Sequence, residues 1–295
     1  MSDVQISLTG APPTWCAYAE LAKPRLSALV LLTTLVGYVA AAGGSIHWPV
    51  LLATLLGTAM VAGGANALNQ VREREWDARM DRTRDRPLPS GRLGLLQATR
   101  FAVTISLAGL LLLWTAAGTA PAAWSAIALG LYVFVYTPLK RITVANTIVG
   151  AVVGAIAPII GWAATGHPLD RGAWALFTIL FVWQLPHFFS IAWLYRRDYA
   201  RAGFRMISVT DPDGAFTARQ VAILGLLMIP VGALPAAFGL AGRFYLVAAI
   251  ALGTAFALTC LWVGPESRTA CARRSFYASI AYLPILLILY MIDKT

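Results

Sequence analysis

Residues 50–77 read VLLATLLGTAMVAGGANALNQVREREWD. The first 19 of them, 50–68, contain no charged side chain, whereas charged residues dominate after Asn69. A helix of about 20 apolar residues crosses the hydrocarbon core of a bilayer, and a barrel strand would instead alternate polar and apolar residues. The stretch therefore predicts a membrane-spanning helix that carries polar chemistry where it leaves the lipid.

The composition of the whole chain agrees with a membrane protein. Of its 295 residues, 59% are hydrophobic and 12% are charged, against a usual charged share of about 25%. These values exclude a disordered chain, a collagen, a coiled coil and an ordinary soluble enzyme. The three cysteines, Cys16, Cys260 and Cys271, have no paired spacing, so they predict neither a disulfide framework nor a metal knuckle. No linker or low-complexity segment divides the sequence, and we expect one membrane domain over residues 1–295.

Eight other apolar runs resemble 50–68 in length and composition, and no cleavable signal or transit segment precedes them. We therefore predict an all-α integral membrane protein with nine transmembrane helices around a central cavity. The predicted spans are 26–42, 50–68, 96–117, 122–138, 143–165, 174–193, 221–240, 244–263 and 275–291.

The basic residues predict the orientation of these spans. If the N-terminus is cytoplasmic, 20 of the 23 Lys and Arg residues lie in inside segments or their margins, and only Arg171, Arg243 and Lys294 lie outside. This bias favours a cytoplasmic N-terminus and an outside C-terminus. Two inside loops are long, 69–95 and 194–220, and each follows the second span of a four-span unit, which indicates a weak internal duplication. The net charge of +10 then points to anionic lipid or an anionic substrate rather than nucleic acid.

Oxygen-bearing side chains recur every four residues at the end of the second span, at Asn69, Glu73, Asp77, Asp81 and Asp85. On a helix, three successive members of such a series share one face, and we expect Pro87 to end this helix. Carboxylates at the membrane edge are costly unless they are paired or bind a cation. Mg²⁺ is commonly held by one or two carboxylates together with substrate phosphates.

The spacing alone leaves a second interpretation equally open. The same residues could form a solvated juxtamembrane helix with salt bridges such as Glu75–Arg79. Lys140 and Arg141, between spans four and five, could be membrane anchors or phosphate ligands, and so could Arg25 at the mouth of span one.

Two polar residues mark the sixth span and its inside end. His187 follows Pro186 inside the apolar run and could be a packing residue or a general base. Asp198 lies at the end of the segment and could be a functional carboxylate or the partner of Arg201 in a salt bridge. Asp211 and Asp213 predict a tight turn, and His47 and His167 fall in outside loops. The sequence contains no GxSxG, HExxH, Walker A or dinucleotide-binding motif.

The order of these pieces resembles that of UbiA-type membrane prenyltransferases. Asn69, Glu73 and Asp77, followed by MDRT at 80–83 and RPL at 86–88, are similar to the first signature of that family. The other matches are KPRL at 23–26, YTPLKR at 136–141, PIIGW at 158–162, PHF at 186–188 and DYARAGFRM at 198–206. They cover the chain from span one to the loop after span six.

Departures from the family pattern favour one branch of it. Many relatives have Asp where Gln70 and Glu73 stand here, and quinone-type members carry a second aspartate-rich motif after span six. This sequence has only His187 and Asp198 in that region, which favours the branch that acts on haem over the branch that acts on 4-hydroxybenzoate.

The resemblance implies an activity and a set of site residues. It implies transfer of a farnesyl group from farnesyl diphosphate to a vinyl group of haem B (protohaem IX), giving haem O. A quinone precursor or a chlorophyll-type ring is the alternative acceptor. The implied Mg²⁺ ligands are Asn69, Glu73 and Asp77; the implied diphosphate ligands are Arg25, Arg82, Lys140 and Arg141; and the catalytic candidates are His187, as the base that positions water, and Asp198.

The sequence shows no organelle-targeting segment, so we expect a multi-pass protein of the bacterial inner (plasma) membrane. The resemblance adds a haem A synthase or oxidase assembly proteins as expected partners beside the bilayer and the substrates. Two non-enzymatic alternatives stay open, namely a transporter or lipid-binding protein that uses the acidic series as an ion site, and a structural assembly subunit.

Overall fold

The structure, a computed structural model, describes residues 14–262, 264 and 266–295. This part of the chain is almost entirely helical, and its only β pairing is an isolated bridge between Ala241 and Lys294. A π-helical segment, Leu131–Tyr136, joins the fifth helix to the sixth. In chain order the helices are α1 (Thr14–Ala22), α2 (Pro24–Ala41), α3 (Trp48–Asp77), α4 (Leu95–Ala117), α5 (Thr119–Gly130), α6 (Thr137–Leu139), α7 (Asn146–Ala163), α8 (Arg171–Leu194), α9 (Arg196–Arg201), α10 (Ala215–Gly232), α11 (Leu234–Ala237), α12 (Arg243–Cys260) and α13 (Arg268–Ile292).

Nine helical segments among the described residues are long and apolar enough to cross a membrane. They are α2, α3, α4, the continuous run Thr119–Leu139, α7, α8, the run Ala215–Ala237, α12 and α13. The predicted number of spans and the all-helical class are therefore confirmed. Several boundaries differ, since α13 begins at Arg268 rather than at residue 275 and α7 begins at Asn146 rather than at residue 143.

The predicted end of the acidic helix is wrong. Helix α3 ends at Asp77, ten residues before Pro87, and turns follow it. The Thr83 hydroxyl donates to the Asp77 carbonyl at 2.8 Å, and the Arg86 guanidinium reaches back to the Asp77 carboxylate at 2.7 Å. These contacts satisfy the helix end and reverse the chain direction, so Asp81 leaves the face shared by the first three members of the series.

Helices α7 and α8 are the most buried spans of the bundle. Helix α2 crosses α7 at backbone contact, because small residues stand at the crossing. A Cβ atom on Gly161 would lie 1.9 Å from the Thr34 carbonyl oxygen, and one on Gly37 would lie 2.1 Å from the Pro158 carbonyl oxygen. Glycine is therefore required at both positions, as is common where membrane helices pack closely.

The two long segments predicted to lie inside, 69–95 and 194–220, which we call the inside segments, fold together at one end of the bundle. Met80 of the first segment is buried with Ala202, Phe204 and Met206 of the second segment and with Ala192 near the end of α8. The Arg205 amide donates to the Lys140 carbonyl at 2.7 Å, which ties the second segment to the turn after α6. At the opposite end the Lys294 ammonium donates to the Val39 carbonyl at 2.8 Å. The charge pattern assigned Lys140 and Arg205 to one side of the membrane and Lys294 to the other, and these residues lie at opposite ends of the bundle.

Candidate active site

Three members of the acidic series, Asn69, Glu73 and Asp77, lie on one buried face at the end of α3. These residues are 1 to 4% exposed, as expected for an i, i+4, i+8 series that faces the bundle. The Asn69 amide donates to the Thr137 hydroxyl at 3.1 Å. Gln70 points elsewhere, since its amide donates to the Leu21 carbonyl at 2.9 Å and so holds the end of α1.

Each buried carboxylate has a basic partner from a distant part of the chain. The Lys140 ammonium lies 2.8 and 3.2 Å from the two Glu73 carboxylate oxygens and 4.6 Å from the centre of the Tyr136 ring. Arg86 pairs with Asp77. The structure therefore brings together three of the candidate site residues, Glu73, Asp77 and Lys140, and adds Arg86.

Lys23 is a further cation at this site. It caps the start of α2 with a left-handed backbone (φ 49°) and is the only non-glycine residue with positive φ among those described. Burial, followed by the positive charges of Arg86 and Lys140, lowers the pKa of Lys23 to about 7. An incoming anion would reverse that effect and favour the charged form. Sequence reasoning chose Arg25 instead. The KPRL match at 23–26 was the available signal for Lys23, but it does not say which of its two cations faces the site, because backbone strain has no sequence pattern.

The other predicted diphosphate ligands lie around this cluster without joining it. Arg82 lies over the rings of Tyr195 and Tyr199 at 5.0 and 5.9 Å. Arg141 lies over the Trp76 ring at 4.3 Å. Arg25 is exposed and forms no ion pair or hydrogen bond with another described residue. The guanidinium groups of all three therefore have no carboxylate partner within the described part of the chain.

A cavity of about 300 Å³ lies in the bundle beside this cluster. Asn66, two turns before Glu73 on α3, and Tyr136, whose ring contacts Lys140, line the end beside the cluster, while side chains such as Leu180 and Ile160 line the rest. The lining is predominantly apolar, which suits the hydrocarbon part of a ligand. The π-helical segment contributes Tyr132 and Tyr136 to this wall. Hydrophobic periodicity contains no signal for such a bulge, although bulges of this kind are frequent at functional sites.

His187 lies on the wall of the same cavity. Its Nδ1 is 2.7 Å from the Ser279 hydroxyl oxygen. Asp198 has a different environment, because it pairs with Arg201, which also contacts Asp81 at 2.5 Å. Asp198 is not among the cavity residues, and the alternative interpretation of it as a salt-bridge partner describes its contact. The predicted turn at Asp211 is present, and its carboxylate accepts from the Thr217 amide at 2.7 Å.

The donor set at the end of α3 fits a hard cation that shares its coordination with a phosphate. Across residues 14–262, 264 and 266–295, no three His, Cys, Asp or Glu side chains lie together as a complete metal site. Two carboxylates and one amide do converge, however, and Oδ1 of Asp77 is buried without a hydrogen-bond partner. A buried carboxylate oxygen of this kind is costly unless it meets a cation, and Mg²⁺ characteristically takes its remaining ligands from water and substrate.

Comparison with known proteins agrees with this arrangement. The sequence profile of the UbiA prenyltransferase family matches residues 30–280. The chain therefore belongs to the UbiA prenyltransferase family, a class of enzymes, and the predicted resemblance is confirmed. Its relatives include the Protoheme IX farnesyltransferase of Solibacter usitatus, which is 45% identical over 286 residues that cover 94% of this chain and 98% of the relative.

Solved structures share the fold. The chain superposes on Digeranylgeranylglyceryl phosphate synthase with a TM-score of 0.79 at 16% identity, over 95% of this chain and 98% of the other. A UbiA homolog from Archaeoglobus fulgidus bound to GPP and Mg²⁺ gives a TM-score of 0.68 at 16% identity, over 91% and 99% of the two chains.

Proposed function

We propose that this protein transfers the farnesyl group of farnesyl diphosphate to a vinyl group of haem B and so forms haem O. One observation carries the proposal: a buried cluster of carboxylates and cations lies beside one end of an apolar cavity. A prenyl diphosphate has the same division into an ionic head and a hydrocarbon tail. The name and the 45% identity of the Solibacter relative support haem as the acceptor.

The cluster would bind the diphosphate. Asn69, Glu73 and Asp77 would hold Mg²⁺, and the Archaeoglobus homolog with bound GPP and Mg²⁺ supports that assignment. When bound, the ion supplies positive charge that stabilises the departing diphosphate. Lys140, and with it Lys23, would neutralise further phosphate oxygens as the C–O bond breaks. Arg25, Arg82 and Arg141 are proposed as outer ligands, since none is tied to a carboxylate.

The cavity would protect the reactive allylic group. Breaking the C–O bond leaves a carbocation that water would quench, so an apolar wall favours transfer to the intended acceptor. His187, on this wall, is proposed as the base that positions water for the final addition. A catalytic role for Asp198 stays a prediction, and its pair with Arg201 and Asp81 equally supports a role in holding the inside segments together.

The decisive experiment is an assay of purified protein with haem B, farnesyl diphosphate and Mg²⁺, with products identified by mass spectrometry. We expect a farnesylated and hydrated haem from the wild type and none from Asp77→Ala. If farnesyl diphosphate were consumed with 4-hydroxybenzoate or a chlorophyll-type ring but not with haem B, the acceptor assignment would be wrong. If farnesyl diphosphate were consumed with none of these acceptors, the protein would have to be considered again as a transporter or an assembly subunit.

We further propose that the protein lies in a bacterial plasma membrane with a cytoplasmic N-terminus and an outside C-terminus. The distribution of basic residues supports this orientation. In a Cys16→Ser background, a membrane-impermeant thiol reagent applied to intact cells should label Ser45→Cys and not Asp85→Cys, both of which are exposed positions. The reverse pattern would contradict the orientation. Association with a haem A synthase or oxidase assembly proteins is a separate proposal, which co-purification from native membranes would test.

A further inference from the structure

The hydrogen bonds around Ser279 determine which nitrogen of His187 carries the proton. The Ser279 hydroxyl oxygen lies 2.6 Å from the Phe276 carbonyl oxygen and 2.7 Å from Nδ1 of His187. A carbonyl only accepts, and two oxygens 2.6 Å apart repel each other unless a hydrogen lies between them, so we assign the single hydroxyl hydrogen to the bond with Phe276. With this assignment Nδ1 of His187 donates to Ser279. In the neutral imidazole, this leaves a lone pair on Nε2.

The imidazole ring is held in one orientation. It stacks on Trp183, with ring centres 5.3 Å apart and planes 23° apart, and it lies 4.9 Å from the Phe276 ring. The Trp183 indole donates to the backbone carbonyl of Ser279 at 2.8 Å. Ser279, which is fully buried on α13, thus contacts both Nδ1 of His187 and the Trp183 indole that stacks on the imidazole.

The free nitrogen is available to the cavity. His187 is part of the cavity wall, and its Nε2 has no hydrogen-bond partner within the described part of the chain. The neighbouring amide of Gln184 is already occupied, since it donates to the carbonyls of Ala151 and Leu180 at 3.3 and 3.1 Å. His187 is therefore the group on this helix turn that can accept a proton from a molecule in the cavity.

We propose that Ser279 is a positioning residue, which holds His187 in the Nδ1–H tautomer so that Nε2 accepts the proton of the water added in the last step. This inference rests on the proposed farnesyl transfer. In that reaction the C–O bond of farnesyl diphosphate breaks and its electron pair leaves with the diphosphate. The vinyl π electrons form the new C–C bond, which places the positive charge on the other vinyl carbon. A water oxygen bonds to that carbon, and its proton passes to Nε2.

The first test measures the tautomer directly and needs no activity. The chain has only three histidines, so ¹⁵N-histidine labelling of the full-length protein in bilayers gives a spectrum that His187→Gln can assign. We expect the wild type to show a protonated Nδ1 and an unprotonated Nε2 at His187. Ser279→Ala should shift that signal toward the opposite tautomer, and Ser279→Thr should restore it, because a helical threonine hydroxyl can make the same bond to a preceding carbonyl.

The second test measures the product. With Ser279→Ala we expect hydrated farnesyl haem to form about a hundredfold more slowly, the lower end of the usual loss of a general base. Consumption of farnesyl diphosphate should fall less than tenfold, and a farnesylated haem lacking one water should accumulate. Ser190→Ala is the matched control, because Ser190 is also fully buried and its hydroxyl donates to the Pro186 carbonyl at 2.7 Å without touching His187.

The outcomes separate the two proposals. If wild type makes no farnesylated haem, the proposed function fails whatever the tautomer is. If wild type makes it, but Ser279→Ala equals Ser190→Ala in product ratio and leaves the ¹⁵N spectrum unchanged, the positioning role is wrong. Ser279→Cys, which keeps the size of the side chain and weakens the acceptor, provides the same measurements if Ser279→Ala does not fold.

Discussion

Helices α3 and α8 end at the same side of the bundle, and each leads into a long inside segment, yet two ion pairs beside these helix ends lie in opposite environments. The Glu73–Lys140 pair at the end of α3 is buried, with side chains 5 and 13% exposed. The Asp81–Arg201 pair beside the end of α8 is 58 and 50% exposed. Burying an ion pair costs desolvation that its attraction often fails to recover, whereas exposed pairs contribute little either way. The buried pairs are therefore better explained by function than by stability.

The location of the buried pairs also distinguishes between classes of protein. Transporters usually place their ion and substrate sites near the middle of the bilayer. Here the buried charges lie at one end of the spans, beside the inside loops, and the cavity behind them is apolar. This arrangement fits a site that binds a charged head group at the membrane edge and lodges its tail in the bundle.

The largest expected effect comes from breaking one buried pair. Lys140→Met leaves the Glu73 carboxylate buried without its partner, and we expect about 3–5 kcal/mol of destabilisation. Thermal unfolding in detergent should show a large drop in Tm, most of which the double variant Glu73→Gln/Lys140→Met should recover. Asp81→Asn, at the exposed Asp81–Arg201 pair, is the control and should leave Tm unchanged. Equal losses at the two sites would remove the distinction between them.

The next effect is on catalysis. Asp77→Asn keeps the shape of the side chain but removes its charge, and we expect kcat to fall by about 10²–10³, as for removal of one electrostatic group from an active site. Asp198→Asn should cost less than tenfold, because Asp198 is paired with the half-exposed Arg201 rather than placed in the cluster of Glu73, Asp77 and Lys140. Release of diphosphate at saturating substrates measures both variants. Comparable losses would assign Asp198 to the catalytic machinery after all.

A smaller effect tests whether the two inside segments form one unit. Met80→Ala removes a buried side chain that packs between the segments, and we expect about 2–3 kcal/mol of destabilisation, because a loop cluster collapses more readily than a helix core. Trypsin should then cleave sooner at the arginines of residues 79–92. Leu96→Ala, which lies at a 61% exposed position, is the control. An unchanged cleavage rate would mean that the segments fold independently.

The sequence predicted the features that depend on local pattern. Uninterrupted apolar runs specify spanning helices, and a four-residue period places Asn69, Glu73 and Asp77 on one face. Patterns of this kind contain no information about distant partners. Lys140 meets Glu73 across 67 positions, and the backward reach of Arg86 ends α3 before the predicted point.

Two other features of the site leave no signal in the sequence, for a different reason. A serine in an apolar helix commonly bonds only to its own backbone, so Ser279 carries no sign of its contact with His187. The π-helical turn at Tyr132 and Tyr136 likewise leaves hydrophobic periodicity unchanged. Both features depend on how neighbouring helices pack.

The smallest expected effect is at the exposed pair itself. The hydrogen bond from Arg201 holds the pKa of Asp81 below its ordinary value of 3.8. A carboxylate with a lowered pKa stabilises the fold above its unfolded-state pKa, and this contribution is lost as the pH falls through the folded-state value. Because the pair is screened by solvent, we expect Asp81→Asn to melt within error of the wild type at pH 7, and the two melting curves to coincide once the pH is below the lowered pKa of Asp81. A clear drop in Tm at pH 7 would show that this exposed pair also stabilises the fold. The contrast between the two helix ends would then be smaller.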